Sequence, residues 1–291
     1  MKSKRKIWLG VGAFVAVGSA ASAVTGPLAA GTPSGVRAHA GVATVPVPHV
    51  DANGIVFAQR VEHKADVGEG GESKGLADLP PELAFATRIA LLRGHLLVGD
   101  ELVRQQQWNA ALPHFLHPTE ELYGDLKEPL EQYKVAPFDG LLKTLADVVK
   151  AKKGGNDYAK AQKSVSDALS AVDGAMKERT GDWPGLVTEA AVEALKAATA
   201  EYKEAIVDGR IAKPVEYQDA RGFIWQAERM IESVAPGLEK KNPNALAEVR
   251  AGLAELKKAF PSPMPPRVPV KDHAAVLGDV ARIELAAGKL M

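Results

Sequence analysis

The chain of 291 residues contains no cysteine. That absence excludes disulfides, thiolate nucleophiles, iron–sulfur clusters, Cys-ligated zinc, covalent c-type haem and a lipoprotein anchor. Any metal must be held by His and carboxylates, and stability must come from packing. A surplus of charge is missing too, since 36 basic residues face 36 acidic ones. Four of the bases, Lys2, Lys4, Arg5 and Lys6, stand at the extreme amino end, so the remainder has 36 − 4 = 32 bases against 36 acids. No stripe of Lys and Arg runs along any segment, which removes nucleic acid as a partner. Enzyme signatures are absent as well: no Gly-X-Ser-X-Gly elbow, no His-Glu-X-X-His, no phosphate loop and no dinucleotide fingerprint. The expectation is a protein that is not an enzyme.

The amino end carries a different signal. MKSKRK is a basic stretch, IWLGVGAFVAVGSAA an apolar one, and Ala21-Ser22-Ala23 a small-residue cleavage pattern. Together they predict a signal peptide over residues 1–23 and a periplasmic or secreted protein, which meets the membrane only through that segment during export. An uncleaved anchor is the weaker reading, because the apolar run is short and rich in Gly, Ala and Ser. Residues 24–77 are mostly Gly, Ala, Pro and Val without helical period and read as a flexible linker. One short strand, GIVFAQRVEH at 54–63, is expected within it.

From residue 78 onward the composition turns helical. Leu79-Pro80-Pro81-Glu82 opens a run in which Phe85, Ile89, Leu92, Leu96 and Val103 recur at helical spacing, predicting a helix over 82–107. A short helix from Asn109 and another from Pro118 follow. Further helices are expected over 138–153, 157–179, 184–208, 214–234 and 242–260, each bounded by Pro, Asn or Gly. PSPMPPRVPV, 261–270, has five prolines and reads as a stiff extended strap. An amphipathic helix over 271–289 closes the chain. The fold class is all-α: an antiparallel bundle of about eight helices, with the bundle proper at 78–260.

Within the bundle, LLVGDELVRQQQWNAALPHF resembles one tetratricopeptide motif, with Gly99, Trp108, Ala111 and Phe115 at its small and large contact positions. The resemblance covers about one repeat of roughly 34 residues and implies a tight αα-hairpin, not an array.

The same region holds the candidate site. His114 and His117 are three apart on one helix face, Glu120 and Glu121 follow one turn later, and His95 comes from the preceding helix. Imidazole with carboxylate and no thiol suits a divalent transition metal ion such as iron, copper or zinc. The plainer alternative is structural: His117 caps a helix, the two glutamates answer its dipole and His95 fills the core. On the helix after Pro214, Tyr217, Ala220, Ile224, Ala227 and Ile231 form the apolar face, while Glu216, Asp219, Arg221, Glu228 and Arg229 read as a solvated, ion-paired exterior. Glu216 or Tyr217 turning inward would complete the metal site.

His117-Pro118-Thr119-Glu120 resembles the His-X-X-Glu pattern of imelysin-like and EfeO-like periplasmic proteins. That resemblance implies a secreted helical bundle concerned with iron uptake and without catalysis. The position two before the His, Gly in the imelysin branch, is Phe115 here. Two functions follow. One is a metal-handling protein with His95, His114, His117, Glu120 and Glu121 as ligands. The other is an interaction module that holds an envelope protein partner through the tetratricopeptide-like hairpin.

Overall fold

The computed structural model describes residues 75–291. The signal peptide, the expected strand at 54–63 and nearly all of the linker lie outside the described residues. The linker's last residues belong to the fold, because Leu76 is buried in the core.

Ten α-helices carry the described chain: α1 Pro81–Arg104, α2 Trp108–Ala111, α3 Pro113–His117, α4 Lys127–Gln132, α5 Asp139–Lys150, α6 Gly155–Lys177, α7 Trp183–Ala205, α8 Pro214–Lys241, α9 Pro243–Leu256 and α10 His273–Ala287. A π turn (Pro118–Leu122) and a 3-10 turn (Tyr123–Leu126) join α3 to α4. The all-α reading holds. Helix α9 begins at the expected Asn242, and Asp182 and Asp272 play the same part at α7 and α10: each of the three accepts a hydrogen bond from a first-turn backbone N–H. No helix among the described residues is long and apolar enough to cross a membrane.

Three expectations about the helices are corrected. Helix α7 stops at Ala205, and Ile206–Val207 pairs antiparallel with Arg210–Ile211. Asp208 and Gly209 both have positive φ, 50° and 70°, the pair a two-residue hairpin turn requires, and the β-branched flanks favour strand over helix. Helix α8 does not end near Pro236 but runs through it to Lys241. An interior proline costs about 3 kcal/mol. Beyond it Leu238 is fully buried, and with Val234 and Ala235 it returns a comparable amount. Third, Pro118 does not begin a regular helix but the π turn that continues α3.

Helices α7 and α8 form the central pair, α1 lies across both, and α9 and α10 pack on the other side. Where α1 crosses α8 the backbones touch. A Cβ on Gly222 would stand 2.9 Å from the Gly94 carbonyl carbon, and one on Gly94 would stand 2.5 Å from the Phe223 ring. Only glycine permits that approach, and it fixes the register of the two helices at the residues beside it.

The segment 261–270 has neither helix nor strand, and its backbone bends at 261–264, 267–268 and 270 instead of running straight as the prolines suggested. Its backbone is tied down by side chains of α8: Tyr217 Oη donates to the Ser262 carbonyl at 3.0 Å and Gln218 Nε2 to that of Pro263 at 3.1 Å. Arg221 donates to the Phe260 carbonyl just before it.

Candidate metal centre

The Gly94–Gly222 crossing sets His95, next in line on α1, against Asp219, one turn back on α8. His95 Nδ1 lies 2.6 Å from Asp219 Oδ1. The same oxygen is 2.8 Å from His114 Nδ1. His117 Nδ1 is 3.7 Å from Oδ2. Three imidazoles thus face one carboxylate. The two histidines of α3 arrive there because α2, α3 and the π turn break the chain into short pieces, at Pro113 and Pro118, that fold back over α1. Gly99 lets them close in, since a Cβ there would stand 2.7 Å from the Phe115 ring. The tight hairpin is therefore present, with Ala111 and Phe115 buried and Trp108 partly so. Its second arm is two short helices, not one.

The cluster is dry. His95 and His114 are fully buried and Asp219 is 2% exposed. A buried carboxylate is normally answered by Arg or Lys, but the partners of Asp219 are imidazoles. Burial alone would raise its pKa. The positive charges available on His95 and His114 outweigh that and hold it well below the ordinary carboxylate range. Burial would lower the pKa of His117, yet Asp219, with help from Glu121, lifts it above the ordinary histidine value.

One further bond makes the arrangement informative. His114 Nε2 lies 2.9 Å from Gln218 Oε1. The amide's orientation is set by Gln218 Nε2, which donates to the Pro263 carbonyl. Nε2 of His114 must then carry its proton, which leaves the Nδ1 lone pair facing a carboxylate oxygen. Two lone pairs at 2.8 Å need a cation between them, either a second proton or a metal ion. A ring whose far N–H is held while its near nitrogen points into a carboxylate site is the outer-shell arrangement of metal-ligating histidines.

The ligand atoms of His95, His114 and Asp219 all lie within 4.8 Å of one another, a group able to hold a metal ion. Their hydrogen-bond spacings of 2.6 and 2.8 Å are slightly short of the roughly 3 Å between neighbouring ligands about 2.1 Å from one ion. Small outward shifts suffice. Two histidines and one carboxylate, with a third histidine beside them, fit iron(II) or another first-row divalent ion.

Of the residues expected from the sequence, the structure brings together His95, His114 and His117. Glu121 stands behind them, its Oε1 3.7 Å from His117 Nε2. Glu120 is exposed, outside the cluster. The Glu of the His-X-X-Glu pattern thus faces away, while its neighbour faces the ring. Glu216 pairs with Lys213 at 3.8 Å and Tyr217 is committed to the strap, so neither completes the site. Asp219 and Gln218 do, and Asp219 had been assigned to a solvated face. Arg221, assigned there too, is 6% exposed and grips both oxygens of Glu101 at 2.8 and 2.9 Å. The available signal was glycine: Gly222 in mid-helix marks a close approach, and residues three and four before it, Asp219 and Gln218, share its face.

Residues 183–291 match the iron permease-associated 4-helix bundle domain. The matched stretch contains α7, α8, α9 and α10, and hence Asp219, Gln218 and the strap, while the three histidines lie before it. No curated protein and no solved structure matches the chain.

Proposed function

We propose that this chain is an exported, non-enzymatic protein that takes up a divalent transition metal ion, iron foremost, on His95, His114, His117 and Asp219, and serves metal permeation. The observation that carries the reading is the convergence of three imidazoles on one buried carboxylate, with the outer nitrogen of His114 already committed to Gln218. Iron is favoured over copper or zinc by the match of residues 183–291 to an iron permease-associated domain, and the His95, His114 and Asp219 core, two imidazoles and one carboxylate, suits iron(II). The imelysin-like resemblance and the signal-like amino end support export in the same direction. The metal is cargo. His95 and Asp219 hold it at the glycine crossing, His114 is aimed by Gln218, and His117 with Glu121 forms the side where the cluster is less deeply buried.

Titration of the purified full chain with iron(II) under anaerobic conditions, and with zinc(II) and manganese(II), tests the reading. One ion per chain should bind, with Tm rising by mass action. Asp219→Asn should abolish the Tm rise. Gln218→Leu should weaken binding about 10- to 100-fold, as loss of an outer-shell partner does. A wild-type chain that ignores all three ions would sink the proposal. The cluster would then be a proton-bridged core network, and the interaction-module reading would stand in its place.

A further inference from the structure

Between α1, α6 and α8 lies a cavity of about 340 Å3 that the metal centre does not use. Its floor is apolar, formed by Leu96, Phe115, Leu145 and Val165. Most of its polar groups are already satisfied. Arg93 donates to both carboxylate oxygens of Asp173, at 2.9 and 2.7 Å, and to the Leu169 carbonyl. Asp100 accepts from Tyr158 and Gln162 and pairs with Arg104 at 2.6 Å. These two acids and two arginines cancel.

Two groups stand apart. Gln226 is 6% exposed and lines the cavity, yet has no hydrogen-bond partner among the described residues. Its amide is not closed off from solvent but opens on the cavity, where it is free to meet a ligand. Three residues along the same face of α8, Arg229 lines the cavity too, and among the described residues its guanidinium enters no ion pair. Arg229 is exposed, at the mouth of the cavity, and among the described residues it is the lining charge without an ion-pair partner.

We propose that this cavity binds a small organic carboxylate. The head group sits on the Arg229 guanidinium and the Gln226 amide, a planar fork beside an N–H donor, which is the complement of a carboxylate. The body lies on Leu96, Phe115, Leu145 and Val165. At about 30 Å3 for each water displaced, the volume admits a molecule of about ten non-hydrogen atoms. The site is separate from the histidine cluster and does not depend on metal.

Calorimetric titration of the full chain, stripped of metal by chelation, with hexanoate, benzoate and the neutral hexanamide provides the test. Both carboxylates should bind at one saturable site, with hexanamide about tenfold weaker or worse, the worth of a charge-assisted pair. Arg229→Gln should remove the preference for the anion, and Gln226→Leu should weaken hexanoate about tenfold. Ser166→Trp, at the exposed rim on α6, should block binding with Tm unchanged, which keeps the test open if the buried substitution harms folding. Asp219→Asn should leave hexanoate binding intact. Absence of saturable binding, equal binding of acid and amide, or loss of hexanoate binding in Asp219→Asn would each overturn the proposal.

Discussion

The two halves of the described chain are built differently. From residue 183 onward the helices are long and regular, and three of the four begin at an Asx cap. Between 108 and 132 the chain is instead two short helices, a π turn, a 3-10 turn and a third short helix. A regular helix presents its side chains in rows three and four apart and can offer a site one or two groups from one side. Adding two more imidazoles to the carboxylate that His95 of α1 already faces needs a chain that changes direction every few residues, which Pro113 and Pro118 impose. The regular half supplies a rigid acceptor in Asp219 and Gln218, the broken stretch supplies His114 and His117, and His95 comes from the long helix α1. They meet at the glycine crossing of α1 and α8.

The seam is where the comparison breaks most easily. Gly222→Val should destabilise the chain by more than about 3 kcal/mol, since the new side chain meets backbone that cannot give way; urea unfolding measures it, and a loss under 1 kcal/mol would show that the crossing is not tight. Next in size is Arg221→Met, which removes the grip on Glu101, the bond to the Phe260 carbonyl and the stacking on Trp225, whose ring centre lies 3.8 Å away. Because Glu101 is part-exposed, the expected loss is about 2 kcal/mol, below that for a fully buried pair. A thermal melt of this variant that matched wild type would mean the network is ornamental.

The cluster itself sharpens the contrast through pH. The folded-state pKa of Asp219 is lowered, so its contribution is present above the unfolded value near 3.8 and is lost as pH falls toward the folded value. That of His117 is raised, so its contribution is complete below 6.5 and is lost as pH rises through the folded value. Without metal, the stability owed to the cluster should peak between about pH 4 and 6.5. With metal, protons compete for the ring nitrogens and the ligand-induced rise in Tm should grow above that window. Melting curves across pH 4–8, with and without iron(II), should diverge with rising pH; parallel curves would contradict metal on these rings. The smallest effect belongs to the regular half. At Gly278, where a Cβ would meet only the tip of Arg282 at 3.8 Å, Gly278→Ala should stabilise by about 0.5–1 kcal/mol, and denaturation would read it as a small upward shift in midpoint.

Much of this could be read from residue order. Helix starts at Pro81, Pro214 and Asn242-Pro243 were legible because proline and Asx act locally, within a turn. The run through Pro236 was not, because burial of Leu238 is a tertiary gain that no local rule records. Spacing located His114 and His117 and suggested His95. It placed Asp219 outside, because a helical-wheel reading grants a helix one apolar face, whereas residues 217–224 of α8 are buried on every side, by α1, α7 and the strap. In such a segment polarity no longer reports exposure.

The proline strap has a consequence for how this protein can change. Five donors hold the segment and its flanks: Arg221 on the Phe260 carbonyl, Tyr217 on Ser262, Gln218 on Pro263, the backbone N–H of Ile211 on Arg267 and Tyr202 on Lys271. Every acceptor is a main-chain oxygen. The bundle holds the strap chiefly by its backbone path, with the buried Pro263 and the Gln218 Nε2–Met264 Sδ contact at 3.9 Å as side-chain exceptions. The strap's other exposed side chains are therefore free to drift over generations while the path, and the Gln218 amide that aims His114, stays where it is.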